Sequence, residues 1–90
     1  ESLLVRSLSQ FEIFVLRLEP GGETEHDSAH AGEEFSYVLR GRARVILRGS
    51  ESYLLEEGDL LYYRSELPHR WQNPGGGEAE ILVVNTPATY

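Results

Sequence analysis

The stretch Arg42-Ala43-Arg44-Val45-Ile46-Leu47-Arg48 alternates in steps of two, and this period dominates the chain. Successive side chains of a β-strand point to opposite faces, so Ala43, Val45 and Leu47 share one side and Arg42, Arg44 and Arg48 the other. That is a half-buried strand. Similar runs rich in Val, Ile, Leu and aromatics occur at Phe11–Leu18, Glu34–Leu39, Tyr53–Leu55, Leu60–Tyr63, Arg70–Gln72 and Glu80–Asn85. Turn chemistry falls between them: Pro20-Gly21-Gly22, Gly41, Gly49-Ser50, Gly58-Asp59, Pro68 and Pro74-Gly75-Gly76-Gly77. No long window keeps a helical period without meeting Gly or Pro, so helices are expected to be minor. The pattern predicts an all-β domain, a sandwich or a barrel, and alternation alone does not separate the two.

Ninety residues cover one hydrophobic core, so residues 1–90 are expected to form a single domain. The chain has no Cys, which excludes disulfides, thiolate metal sites and cysteine nucleophiles and makes a cytoplasmic location the expectation. No segment has the length of an apolar membrane span, and the start is not a basic-then-apolar signal, so no membrane partner is expected. A net charge of −7 repels phosphate backbones, and direct nucleic-acid contact by this domain is not expected either. Arg40, Arg42, Arg44 and Arg48 form a basic stripe, expected to make cross-strand ion pairs or to face a partner subunit. The first residue is Glu1, and the sequence reads as a fragment of a longer chain.

Three histidines, His26, His30 and His69, are available for chemistry. Imidazole nitrogens with a carboxylate oxygen suit zinc, iron, nickel or manganese. His30 and Glu34 would face one interior if the backbone between them is extended, and His69 would reach them from a neighbouring strand. Parity places Ser36 and Val38 inward with Glu34, and Trp71 and Asn73 on the side of His69.

The spacing sharpens this. Gly22, Ser28, His30, Glu34 and Gly41 read G-x5-S-x-H-x3-E-x6-G, and Gly58, His69 and Asn73 read G-x10-H-x3-N. These resemble the two cupin motifs, G-x5-H-x-H-x3,4-E-x6-G and G-x5-P-x-G-x2-H-x3-N. The resemblance implies a cupin barrel, a double-stranded β-helix of the jelly-roll type, with His30, Glu34 and His69 pointing inward to hold a divalent metal. Ser28 stands in the first-histidine slot, and Arg64 and Glu66 stand where the second motif has proline and glycine. His26, two residues before Ser28, is a candidate fourth ligand. Otherwise three ligands leave open positions for water or a small molecule, or the pocket holds no metal and both histidines hydrogen-bond Glu34. Ser28, Ser36, Val38, Trp71 and Asn73 are the expected ligand-binding residues.

The stretches 30–41, 67–74 and 83–90 resemble the C-terminal cupin domain of bacterial helix-turn-helix regulators. The resemblance implies a sensor for a small-molecule effector, with or without metal, acting as a homodimer and preceded by a DNA-binding domain. Two other readings stay open: a stand-alone metal-dependent enzyme of dioxygenase or isomerase type, and a metal-free dimerisation module.

Overall fold

The computed structural model describes residues 6–7 and 11–87, and residues 88–90 of the closing stretch 83–90 lie outside them. Turn residues cut the described chain into β1 (Arg6–Ser7), β2 (Glu12–Leu18), β3 (Glu33–Arg40), β4 (Arg42–Leu47), β5 (Glu51–Glu56), β6 (Leu60–Arg64), β7 (His69–Gln72) and β8 (Ala79–Thr86). Each strand from β2 onward overlaps one of the alternating runs, so the all-β expectation is met. They form two antiparallel sheets, one in the order β1-β2-β8-β3-β6 and one in the order β5-β4-β7.

The two sheets face each other across one core. Leu16, Leu18, Val38, Ala43, Val45, Leu47, Leu55, Trp71, Ile81 and Val83 are buried there, and Ala43, Val45 and Leu47 fall on the side expected from their alternation. Ile46 departs from that parity: it lies on the other side of β4 and is also buried. Three of the four arginines of the basic stripe meet acids, in the pairs Arg40–Glu78, Arg42–Glu56 and Arg48–Glu51. Their exposure to water keeps such pairs weak.

The inner face of the five-stranded sheet is laid down in rows, because antiparallel register puts partner residues side by side. One row holds Leu16, Ile81 and Val38, and the next holds Phe14, Val83, Ser36 and Leu61. The row beyond is polar throughout: Glu12 on β2, Asn85 on β8, Glu34 on β3 and Tyr63 on β6. Apolar rows therefore close the barrel at one end, and a polar row opens it at the other.

The segment between β2 and β3 completes that open end. Its backbone runs along β7 through the bonds Gly21 N to Asn73 O, Thr24 N to Trp71 O and Ser28 N to His69 O, at 2.8–3.0 Å. In effect it lengthens the small sheet by an irregular strand, and it carries Ser28 and His30 to the mouth of the barrel.

Candidate metal centre and ligand cavity

Glu34 sits on β3 with 2% of its surface exposed, and His69 opens β7 fully buried. His30 precedes β3, and its approach differs from the expected extended run to Glu34. Gly32, between them, bends the chain at φ +114°, a conformation that L side chains rarely adopt. A Cβ at Gly32 would lie 2.2 Å from the Thr86 carbonyl oxygen, so only glycine lets this bend close against the end of β8. Ser65 clamps both sides of it, its N–H donating to Gly32 O at 2.9 Å and its carbonyl accepting from His30 N at 3.0 Å. His69 is tied to the same segment through the paired backbone bonds with Ser28, at 2.8 and 2.9 Å.

Through these ties three residues distant in sequence converge. His30 Nε2 lies 3.2 Å from Glu34 Oε1, and His69 Nε2 lies 3.3 Å from Glu34 Oε2. One ligand atom from each of the three falls within 4.8 Å of the others, a span that one metal ion can bridge. His69 Nδ1 is occupied, donating to the Leu67 carbonyl at 2.7 Å. That bond puts the proton on Nδ1 and leaves the Nε2 lone pair of the neutral ring facing the cavity, the arrangement of a metal-binding histidine. Nε2 is buried and makes no hydrogen bond of good geometry, so the donor set fits a divalent cation. His26 is exposed and stands outside this converging set.

A chain of donors holds Glu34. Trp71 Nε1 donates to Ser36 Oγ at 2.9 Å, Ser36 Oγ is hydrogen-bonded to the Tyr63 hydroxyl at 2.8 Å, and Tyr63 donates to Glu34 Oε2. The indole can only donate and the single Tyr63 proton goes to Glu34, so Ser36 accepts from Trp71 and donates its own proton to Tyr63, giving the relay one direction. Burial, then the charge of Glu34 and the bond to it, push the Tyr63 hydroxyl far above its ordinary value, so it remains a donor. For His69, burial disfavours the charged ring. The Glu34 carboxylate beside the ring and the Leu67 carbonyl outweigh this and raise its pKa.

The three groups lie on a cavity of about 210 Å³, whose wall also includes Glu12, Phe14, Ser28, Trp71 and Asn85. It is smaller than the roughly 300–1,000 Å³ of pockets for drug-sized molecules. Of the residues expected to bind ligand, Ser28 and Trp71 line this cavity. Three other expected lining residues have different positions. Ser36 lies behind the wall within the donor chain, and Val38 is packed in the apolar rows beneath. Asn73, four residues past His69, has left the strand and ties loops together: its amide donates to Leu18 O, Glu19 O and Gly77 O, and its carbonyl accepts from Gly75 N. Parity put these residues on the right side but does not carry depth.

Glu12 and Asn85 were not among the expected site residues. Their signal was a polar residue in the inward phase of an otherwise apolar run: Glu12 before Phe14, Leu16 and Leu18, and Asn85 after Ile81 and Val83. Arg64 and Glu66, in the slots of the proline and glycine of the second motif, bond each other at 2.9 Å across the β6–β7 turn.

The sequence profile of the cupin domain matches residues 14–85. The chain belongs to the cupin family. Solved structures agree on a double-stranded β-helix barrel. This cupin is similar to a protein from Thermus thermophilus at 22% identity, over 96% of this chain and 84% of that one, with a TM-score of 0.82. An RmlC-like cupin from Desulfovibrio desulfuricans is 20% identical over 96% of this chain and 81% of its own, with a TM-score of 0.84. A sugar phosphate isomerase of the cupin superfamily from Silicibacter pomeroyi is 27% identical, with a TM-score of 0.76, and is matched over 90% of this cupin and 53% of its own length.

Proposed function

We propose that this cupin binds a divalent metal ion through His30 Nε2, Glu34 and His69 Nε2, and uses the cavity beside that centre to bind a small-molecule effector. The observation that carries this is the convergence of two imidazoles and one carboxylate on a common point at the mouth of a cavity. Three protein ligands leave coordination positions for a ligand atom. The sequence resemblance to regulator-borne cupins supports a sensor role, in which an upstream DNA-binding domain responds to cavity occupancy. Such a response needs the effector to bind two arrangements of the protein with different affinity.

Metal analysis of the purified protein tests the centre, with zinc, nickel, iron or manganese at about one per chain as the expected result. His30→Ala and His69→Ala are expected to lose it; metal content unaltered in both sinks the proposal. Electrophoretic mobility shift of the full regulator on its own promoter, with and without effector, tests the sensor role. A coding sequence without any DNA-binding domain overturns it.

A homodimer fits the same reading. The outer face of the five-stranded sheet carries Ile13, Leu60 and Tyr62 at 40%, 53% and 57% exposure, an apolar face that a second copy of the chain would cover. Sedimentation is expected to give a dimer that Leu82→Glu, on that face, converts to a metal-competent monomer. A wild-type monomer at working concentration refutes the dimer.

A second reading, a metal-dependent isomerase, is favoured by Glu12, a carboxylate on the cavity wall apart from the three ligands. The likeness to a sugar phosphate isomerase adds to it. The metal centre would supply Lewis-acid polarisation of a substrate oxygen. Glu12 would then move a proton as general base. Turnover of aldose or ketose phosphates by the metal-loaded protein, lost in Glu12→Gln, separates enzyme from sensor.

A further inference from the structure

Trp71 stands on β7 in the three-stranded sheet, yet its indole N–H crosses to the other sheet and donates to Ser36 Oγ on β3 at 2.9 Å. The ring borders the cavity and meets the His69 ring edge-on, with centroids 5.4 Å apart. Its backbone is held as well: Trp71 N donates to Thr24 Oγ1 at 3.2 Å, and its carbonyl accepts from Thr24 N at 3.0 Å. The indole proton is thus engaged behind the cavity wall.

Ser36 is fully buried in a row that is otherwise apolar, beside Val83 and Leu61 and in line with Phe14. A hydroxyl in such a place is costly unless it is hydrogen-bonded. Here both its atoms are engaged. The oxygen takes the indole proton, and its own proton goes to Tyr63, which donates to Glu34 Oε2. All four residues are buried, and hydrogen bonds in series inside a low-dielectric interior polarise one another, each strengthening the next. The last acceptor is a carboxylate, where a hydrogen bond is strongest.

We propose that Trp71 is a positioning residue for the metal centre: its indole N–H, acting through Ser36 and Tyr63, fixes the Glu34 carboxylate in the orientation that meets His30 and His69. The proposal deepens the metal-binding reading and rests on it for the first of two measurements. One side chain then serves both as a wall of the ligand cavity and as the head of the hold on a metal ligand.

The chain contains one Trp, so replacing tryptophan throughout by its sulfur isostere benzothienylalanine removes this N–H alone and keeps the shape of the ring. Zinc affinity is expected to fall by about three- to tenfold. That is below the roughly 10–100-fold of a direct partner of a ligand, because the indole reaches Tyr63 only through Ser36. In a Tyr63→Phe background, where Glu34 is cut from the chain of donors, the same replacement is expected to change zinc affinity by less than about twofold. Equal losses in the two backgrounds, or no loss in the wild type, overturn the proposal. Ser36→Ala breaks the chain of donors in the middle and supplies the same comparison should the sulfur analogue fail to fold.

The second measurement uses metal-free protein. The indole N–H gives one resonance in a nitrogen–proton correlation spectrum, and its position follows the strength of the bond to Ser36. Tyr63→Phe keeps the aromatic ring and removes a hydroxyl with which Trp71 shares no hydrogen bond. The resonance is nevertheless expected to move upfield, because Ser36 loses the acceptor that polarises it. A resonance that stays in place overturns the proposal. If the wild type takes up no zinc, the metal reading fails, and the upfield shift in Tyr63→Phe upholds the coupling of Trp71 to the donor of Glu34 by itself.

Discussion

His69 donates through Nδ1 to the carbonyl of Leu67 at 2.7 Å, and this contact, two residues back along its own chain, decides which ring nitrogen the cavity sees. A turn residue thus sets the tautomer of a candidate metal ligand. His30 has a longer counterpart, Nδ1 at 3.4 Å from the Ala31 carbonyl. Both rings turn Nε2 toward Glu34. His69→Ala or His30→Ala is expected to weaken zinc or nickel binding by more than about 100-fold, because even an outer partner of a ligand is worth about 10–100-fold. His26→Ala, at an exposed position, is expected to leave affinity within about threefold. Equilibrium dialysis against a competing chelator measures both, and a large loss in His26→Ala would return it to the ligand set.

Tyr63→Phe breaks the donor chain at its last link. Glu34 Oε2 loses a buried hydroxyl donor and Ser36 Oγ loses a partner, while the ring still fills its place. Stability of the metal-free protein is expected to fall by about 1–3 kcal/mol, the range for leaving buried polar groups short of a bond. Metal affinity is expected to fall by about 10–100-fold, because Glu34 is no longer held in one orientation. Urea denaturation and metal titration read the two effects separately, and an unchanged metal affinity would assign Tyr63 to packing alone.

The raised pKa of His69 has a sign that can be checked. With its pKa above the ordinary value of 6.5, the native state holds more protons than the unfolded chain between 6.5 and the raised value. Stability then falls as pH rises through that interval. The contribution is complete below the unfolded value and gone above the folded one. The urea midpoint of metal-free protein is expected to drop on raising the pH through this window, and His69→Gln is expected to flatten the dependence. Metal affinity should run the other way and rise with pH there, because the proton competes for Nε2.

Gly32→Ala drives a Cβ into the Thr86 carbonyl and against the Pro87 ring, neither of which can swing aside as a flexible side chain would. A loss of more than about 3 kcal/mol is expected, with metal binding lost as the bend that positions His30 opens. Gly58→Ala is the control. Gly58 also has a positive φ, +89°, but open space around its Cβ, so only the backbone preference of about 1–2 kcal/mol is at stake. Comparable urea midpoints for the two variants would show that the close approach at Gly32 is not what matters.

Much of this architecture is legible along the chain. Period-two alternation with glycine and proline between the runs marks the strands from β2 to β8, since pleating puts every second side chain on one face whatever lies beyond. Motif spacing singles out His30, Glu34 and His69 for the same reason that the barrel can be built: the intervals are strand and turn lengths. Inward parity also holds for Ser36, Val38 and Trp71.

Depth and neighbourhood are different, because they depend on register between strands that no local pattern encodes. Only the pairing of β2 with β8, of β8 with β3 and of β3 with β6 sets Glu12, Asn85, Glu34 and Tyr63 in one row. Only the ladder along β7 and the Ser65 clamp bring His30 to His69 through a bend rather than an extended strand. Alternation told which side of a strand each residue faces, a property of the backbone itself; what each one touches there is a property of the packed sheets, and it belongs to the fold as a whole.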